Sequence, residues 1–183
     1  MHPRIAELTD YLARTRSALL AAVDAVPESR RETPPTPGAW SVAQVLDHLA
    51  LVEDGSTRLL TKRVARAREA GLGPDRETSS LLHSLDASGL GSRAQRLDAP
   101  EIVLPRAGAT AAGSAAALRE SRASLLALLR EVDGLDLSAV RATHGRLGDI
   151  DAYQWVLFLG MHEARHTEQL AEIAATLRED GAG

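Results

Sequence analysis

The sequence predicts an all-α protein, a four-helix bundle with a long crossover between the second and third helices. Four segments repeat apolar residues with the helical period. Hydrophobic residues make up 44% of the chain but aromatic residues only 3%, so aliphatic side chains must form the core, which favours close helix packing over sheets. A stretch with many glycines and prolines, residues 71–110, separates the second segment from the third. We expect one domain over residues 1–183.

A proline, a glycine and a capping motif mark ends of the first two helices. The apolar period predicts a first helix over about residues 4–26, ended by Pro27. Ser41 and Gln44 have the spacing of a capping box, so the second helix begins there and continues to about residue 70, before Gly71. The residues expected to face inward are Ile5, Leu8, Leu12, Leu19, Val23 and Val26 in the first helix, and Val42, Val45, Leu49, Val52, Leu59 and Leu60 in the second.

The second half of the chain predicts a crossover and two more helices. Within the crossover we expect one short helix, at about residues 78–85. The third helix spans about residues 111–132, and the fourth spans about residues 152–178 after an N-cap at Asp151. Their predicted inner faces carry Leu118, Leu125, Leu129 and Val132, and then Trp155, Leu159, Leu170, Ile173 and Leu177.

Charge and composition exclude several classes of function. Lysine and arginine total 21 against 25 acidic residues, a net charge of -4, so there is no basic excess to neutralise nucleic-acid phosphates. The N-terminus lacks a signal-peptide pattern and no run of eighteen apolar residues occurs, so we expect a soluble cytoplasmic protein that has no membrane partner. Because the chain has no cysteine, any sulfur chemistry must come with a cosubstrate.

Three histidines on these helices form a candidate metal site. His162 and His166 lie one turn apart on the inner face of the fourth helix, and His48 lies at the edge of the inner face of the second. Three imidazoles can bind one divalent ion and leave coordination positions open for water or substrate. Alternatively, they are hydrogen-bonded core residues. His83 and His144 lie in connecting regions without a partner at ligand spacing, and we interpret them as structural.

The segment from His162 to His166 also matches the His-Glu-x-x-His motif of zinc proteases. Those enzymes take their third ligand from further downstream, but only 17 residues follow His166 in the 183-residue chain, and they continue the same helix. The protease interpretation therefore fails. Glu163 remains a candidate general base that acts on a metal-bound water, and its alternative is an ordinary glutamate in a charge pair on the helix.

Arg122 and Trp40 are the other side chains near the predicted interior. Arg122 lies on the inner face of the third helix, where a guanidinium must meet an anion. It either binds a carboxylate of the substrate or pairs with an acid on a neighbouring helix, and we favour the ion pair. Trp40 directly precedes the Ser41 cap, so we expect a packing anchor rather than a ring that stacks on a cofactor.

The chain resembles the DinB-like superfamily over nearly its whole length. The segments that carry the resemblance are Pro-Gly-Ala-Trp-Ser-Val-Ala-Gln-Val-Leu-Asp-His-Leu at residues 37–49, the stretch at residues 99–105, Leu118-x-x-Ser121-Arg122, His144-x-x-x-Gly148 and His162-x-x-x-His166-x-x-Gln169. The resemblance implies a four-helix bundle, often a homodimer. It also implies a three-histidine metal site, which here consists of His48, His162 and His166.

The resemblance implies a metal-dependent enzyme that acts on small molecules. Relatives in this superfamily include bacillithiol- and mycothiol-dependent transferases and isomerases, so the expected reaction is transfer of a low-molecular-weight thiol, with the metal holding the thiolate. A hydrolase that uses metal-bound hydroxide and a non-catalytic bundle that binds a metal or ligand are the alternatives. Three imidazoles suit zinc, nickel, copper or iron, and of these we expect zinc first and nickel second.

Overall fold

Four long α-helices and one β-hairpin are present in the computed structural model, which describes residues 1–91, 93 and 97–179. The helices are α1 (Pro3–Asp24), α2 (Val42–Glu69), α3 (Ala111–Glu131) and α4 (Ala152–Glu179). The prediction of a helical bundle with a long crossover between α2 and α3 is confirmed. For these four helices, every predicted end lies within two residues of the observed one.

Side chains cap three of the helices at their N-termini, and two of these caps, Ser41 and Asp151, were predicted. The Ser41 hydroxyl accepts a hydrogen bond from the Gln44 amide, and the Gln44 side chain accepts one from the Ser41 amide, so the capping box is complete. Asp151 caps α4 by accepting from the Gln154 amide at 2.9 Å. Thr110 caps α3. The caps mark where these helices begin, and burial of each apolar stripe decides which residues face the interior.

The bundle has two apolar clusters stacked along its axis. The main helix pairs are α1 with α4 and α2 with α3, and α2 also contacts α4. One cluster is built around residues such as Leu12, Leu125 and Val156, and the other around residues such as Leu19 and Leu170. All four helices contribute to both clusters, so each helix changes from one cluster to the other near its middle.

A buried polar layer lies at that change. It consists of Thr15 and Arg16 of α1, Glu53 of α2, Ser121 and Arg122 of α3, and Glu163 of α4. The layer contains two guanidinium groups and two carboxylates, so its formal charges balance. Because its contacts are directional, the layer fixes the height of the four helices relative to one another.

The crossover differs from the prediction of a short helix at residues 78–85. Residues 82–85 form turns, and short 3₁₀ helices follow at Asp86–Ser88 and Glu101–Val103. The physical reason lies in α1, which holds the chain extended. Arg4 bonds the Ser79 carbonyl at 3.2 Å, and Glu7 accepts hydrogen bonds from the Ser80 hydroxyl and the Leu81 amide. These bonds to α1 replace those that a helix would make.

The sequence analysis did not identify the β-hairpin between α3 and α4. Strands β1 (Arg141–His144) and β2 (Gly148–Asp151) pair antiparallel, with Ala142 opposite Ile150. Both of these side chains are buried, and β2 leads directly into α4. The hairpin packs against the first turns of α4, where Trp155 donates a hydrogen bond to the Ala142 carbonyl and the ring of His144 lies 4.5 Å from that of Phe158. Among the described residues, no helix is both long enough and apolar enough to cross a membrane.

Candidate metal centre

The structure brings His48, His162 and His166 together. The Nε2 atom of His162 lies 3.2 Å from Nε2 of His48 and 3.1 Å from Nε2 of His166. Nitrogens that bind one tetrahedral ion at about 2.0–2.1 Å are separated by roughly 3.3 Å, so these distances suit a shared ion. One nitrogen of each ring thus points to a common position between α2 and α4, where a divalent metal ion fits.

Hydrogen bonds at Nδ1 of His48 and His166 determine which nitrogen of each ring is available to a metal. Nδ1 of His48 lies 2.7 Å from the carbonyl oxygen of Val103, and Nδ1 of His166 lies 2.8 Å from Oε1 of Gln169. An oxygen of this kind accepts a hydrogen bond, so Nδ1 must carry the proton in both rings. The Nε2 lone pairs therefore point inward, in the tautomer that binds a metal, and the ring orientations are fixed by partners typical of metal-binding histidines.

Burial keeps the three imidazoles neutral. Loss of solvation lowers the pKa of His48, and it lowers the pKa of His166 to about 3. Burial together with the charges that His166 and His48 would carry holds the pKa of His162 well below its ordinary range. Because protons compete with metals for imidazole nitrogens, a cluster that resists protonation is prepared for a cation.

Aromatic rings form walls on two sides of the histidines. The Trp40 ring lies 5.0 Å from the ring of His48 and stacks on His166 at 6.5 Å, measured between centroids. On the other side, Phe158 stacks on His162 at 5.4 Å. These walls limit access of water, and an environment with little water strengthens bonds between a cation and its ligands. Trp40 is thus both the expected packing residue and a wall of the centre.

An ion pair holds the end of the crossover against α2. Asp47, which is 1% exposed, accepts hydrogen bonds from the backbone amide of Arg106 at 2.8 Å and from its guanidinium. Burial raises the pKa of Asp47, but the hydrogen bonds from Arg106 outweigh that effect and keep the pKa below its ordinary value. This ion pair secures residues 101–106, which include the Val103 carbonyl that orients His48.

Glu163 and Arg122 lie in the polar layer. The Glu163 carboxylate accepts hydrogen bonds from Thr15 at 2.9 Å and from Arg16 at 2.6 Å, and it pairs with Arg122 at 3.0 Å. Arg122 also binds Glu53 at 2.6 Å. The ion-pair interpretation of Arg122 thus agrees with its contacts. A base needs a free lone pair near the reacting atom, so the contacts of Glu163 give no support to a role as general base.

The remaining histidines lie outside the cluster. His83 has a side chain that is 86% exposed and pairs with Asp86 at 2.9 Å. His144 ends β1, and its Nδ1 accepts hydrogen bonds from the amides of Arg146 and Leu147 at 3.1 and 3.2 Å. His2 lies at the N-terminus, 4.0 Å from Asp75. The interpretation of His83 and His144 as structural is consistent with these contacts.

Sequence reasoning missed several residues that complete the site. Gln169 lies three residues after His166 on the same helix face, and this spacing is a usable signal for a hydrogen-bond partner. Val103 contributes only a backbone carbonyl, and the pairing of Asp47 with Arg106 depends on how the crossover folds back. No sequence pattern predicts the contact of Val103 with His48 or the pairing of Asp47 with Arg106.

Comparisons with known proteins agree with this architecture. The family model of the DinB superfamily matches residues 11–170. In a comparison with solved structures, the chain is similar to TT2238, a four-helix bundle protein known from a crystal structure, with a TM-score of 0.59 and 23% sequence identity. The match covers 92% of this chain and 98% of that one, and at this identity it supports the fold alone. No curated protein matches the sequence.

Proposed function

The chain belongs to the DinB superfamily, and we propose that it is a divalent-metal-binding protein that acts as a metal-dependent enzyme of the thiol-transferase class. The observation that carries the proposal is the convergence of three Nε2 atoms, at 3.1 and 3.2 Å from that of His162, with Nδ1 of His48 and of His166 already hydrogen-bonded. A hydrogen-bonded core histidine does not need this arrangement. A metal ligand does, because its free lone pair must face the ion.

Zinc is the ion that we propose first, and nickel is the second. Three neutral imidazoles supply borderline nitrogen ligands without charge, which both ions accept. His48, His162 and His166 would hold the ion, and the position beside the partly exposed His162 would admit a small molecule. The ion, when bound, supplies a Lewis acid that lowers the pKa of a thiol ligand.

The protein's own residues would orient and shield the reaction. The chain has no cysteine, so the thiol has to come from a cosubstrate. Its sulfur gives up a proton to solvent and forms a bond to an electrophilic carbon of the substrate, and the leaving group departs with the electron pair of the broken bond. Trp40 and Phe158 would exclude water from this space.

The contacts of Glu163 favour thiol transfer over hydrolysis. A metal-dependent hydrolase of this type needs a base that removes a proton from water, and Glu163 was the candidate. Two arginines and a threonine hydroxyl bind its carboxylate. A thiol needs less help from a base, because its ordinary pKa of about 8.5 is far closer to neutrality than that of water.

Metal content tests the first part of the proposal. Plasma mass spectrometry on untagged protein should find about one divalent ion per chain in the wild type and its loss in His48→Ala, His162→Ala and His166→Ala. The matched control is His83→Ala, because His83 is exposed and pairs with Asp86 outside the histidine cluster, and it should retain the metal. Helical circular dichroism shows whether each variant is folded. A wild type that takes up no metal contradicts the proposal.

A thiol screen tests the second part. The metal-loaded protein is incubated with an aryl chloride and a low-molecular-weight thiol, and thioether formation is followed against a reaction without thiol. Product that depends on both thiol and metal supports a transferase. Ester or amide hydrolysis without thiol favours the hydrolase. Stoichiometric metal without turnover in either assay favours a bundle that only binds its ligand.

A further inference from the structure

A cavity of about 390 Å³ borders α4 at Arg165, a residue that lies between His162 and His166 in the sequence. Its lining includes Arg165 of α4, Arg146 and Leu147 of the hairpin turn, and Ser88 and Leu90 of the crossover. A volume of this size suits a small metabolite, because ligand pockets usually measure about 300–1,000 Å³.

The cavity and the histidines share the same stretch of α4. Arg165 follows His162 by three residues, a rise of about 4.5 Å along the helix. On the hairpin side, the ring of His144 lies 4.5 Å from Phe158, which itself stacks on His162 at 5.4 Å. The hairpin that carries Arg146 therefore packs, through His144 and Phe158, against the segment of α4 that contains His162.

The lining of the cavity is cationic. Arg165 is only 5% exposed, although it carries a charge. Arg93 and Arg146 place positive charge near it, and Glu168 and Glu172 place negative charge near it. Glu172 is engaged by Arg93 at 2.7 Å. Arg146 forms no ion pair with any residue that the structure describes. Two guanidinium groups thus contribute to one small cavity.

We propose that this cavity binds the anionic group, a carboxylate or a phosphate, of a small molecule whose other end reaches the metal centre. The inference rests on the proposed function and names the substrate class of that site. Arg165 has contacts of its own within the protein, but a guanidinium has five N–H donors and a carboxylate needs two. Arg146, at the rim, supplies the second cation.

Cobalt-substituted protein provides the test, because a thiolate bound to Co²⁺ gives a charge-transfer absorption band. We titrate wild type with 3-mercaptopropionate, which carries a carboxylate, and with 2-mercaptoethanol, which does not. Arg146→Gln should weaken binding of mercaptopropionate by about fivefold to tenfold, corresponding to loss of one charge-assisted contact, and leave binding of mercaptoethanol unchanged. Each variant is compared with the wild type for the same thiol, so the difference in pKa between the two thiols does not affect the comparison.

Two further variants keep the test specific. Arg141→Gln makes the same charge change in the same hairpin, but the Arg141 guanidinium is held by Asp149 at 2.7 Å, so both thiols should bind as in the wild type. Arg165→Lys keeps the charge and loses the planar fork, and it should weaken mercaptopropionate alone. Inorganic phosphate should displace mercaptopropionate if the cavity accepts both kinds of anion, and no displacement restricts the site to carboxylates.

The outcomes separate this inference from the proposed function. If neither thiol produces the band in protein that has taken up cobalt, thiol binding at the centre fails. If both thiols produce it and Arg146→Gln affects them equally, the thiol function stands and the anion site is overturned. Equal effects of Arg141→Gln and Arg146→Gln would also overturn it, because the effect would then reflect net charge alone.

Discussion

Single hydrogen bonds to the outer ring nitrogens prepare two of the three histidines, His48 and His166, for a metal. The Gln169 side chain accepts from Nδ1 of His166, and the Val103 carbonyl accepts from Nδ1 of His48. Each contact fixes both the ring rotation and the position of the proton. The affinity of the centre should therefore depend on residues that never touch the ion.

Gln169→Leu should lower metal affinity by roughly 10–100-fold while the helices remain folded, because the orienting acceptor is lost. Competition with a chromophoric chelator measures the affinity. Gln169→Glu is the control, since a carboxylate still accepts from Nδ1 of His166 and should preserve binding. An unchanged affinity in Gln169→Leu would mean that α4 alone orients the ring.

Glu163→Gln should destabilise the fold by about 3–5 kcal/mol, because Arg16 and Arg122 would lose a carboxylate inside the protein. Urea unfolding measures the change, with exposed Glu168→Gln as the matched control on the same helix. Glutamine has nearly the shape of glutamate, so no cavity complicates the result. A stable Glu163→Gln protein that has lost turnover would instead support the role as general base.

At the scale of the elements, α1 and α4 approach closely where α4 carries no side chain. A Cβ atom placed on Gly160 would lie 2.4 Å from the Tyr11 ring of α1, nearer than real atoms pack. Gly160 also lies two residues before His162. The close approach of these helices therefore sets the position of the segment that carries two of the three histidines.

Gly160→Ala should destabilise the protein by about 1–3 kcal/mol, although alanine is the better helix former by about 1 kcal/mol. Thermal and urea unfolding measure the effect, and Tyr11→Ala in the same chain should relieve the clash. Gly55→Ala in α2 is the control, because nothing lies within 4 Å of its added methyl group and stability should increase. Stabilisation by both alanines would contradict the tight contact.

For the whole molecule, the helical period and the caps were sufficient to predict the bundle. Ser41 and Asp151 marked the start of α2 and α4, and the apolar period of these helices placed His48, His162 and His166 inward. The hairpin escaped prediction because its strands have only four residues each, too few for a clear alternation.

Contacts between distant segments were the part of the site that the sequence could not provide. Arg122 was expected to meet an acid, but several acids could reach it, and only the packed bundle selects Glu53 and Glu163. The cavity beside Arg165 likewise needs the hairpin and the crossover in place. The ion pairs depend on how the helices pack, and the cavity depends on the path of the loops. The helical period reports neither of these.

Acid should destabilise the metal-free molecule through its buried histidines. An unfolded histidine has a pKa of about 6.5, whereas burial lowers the pKa of His166 to about 3 in the fold. Between these values the unfolded chain binds a proton that the folded chain does not, so stability falls as the pH decreases. One such histidine costs about 2 kcal/mol between pH 7 and pH 5.

Urea unfolding of chelator-treated protein at pH 7 and pH 5 measures this loss. His166→Gln cannot titrate, so its loss between the two pH values should be smaller than that of the wild type by about 2 kcal/mol. His83→Gln is the control, because the side chain of His83 is 86% exposed, and it should follow the wild type. Identical losses in wild type and His166→Gln would show that His166 takes up its proton in the folded state.

A metal ion at this centre would link parts of the chain that are far apart in the sequence, and it would thereby affect how long the protein stays folded. His48 and His162 are 114 residues apart in sequence, and a bound ion would join them in one loop. In a chain without cysteine, such an ion would do what a disulfide does elsewhere, closing a long loop of the chain. A reducing agent would not open this link, whereas a chelator would. The lifetime of the folded protein in a cell would then follow the supply of metal and be indifferent to redox conditions.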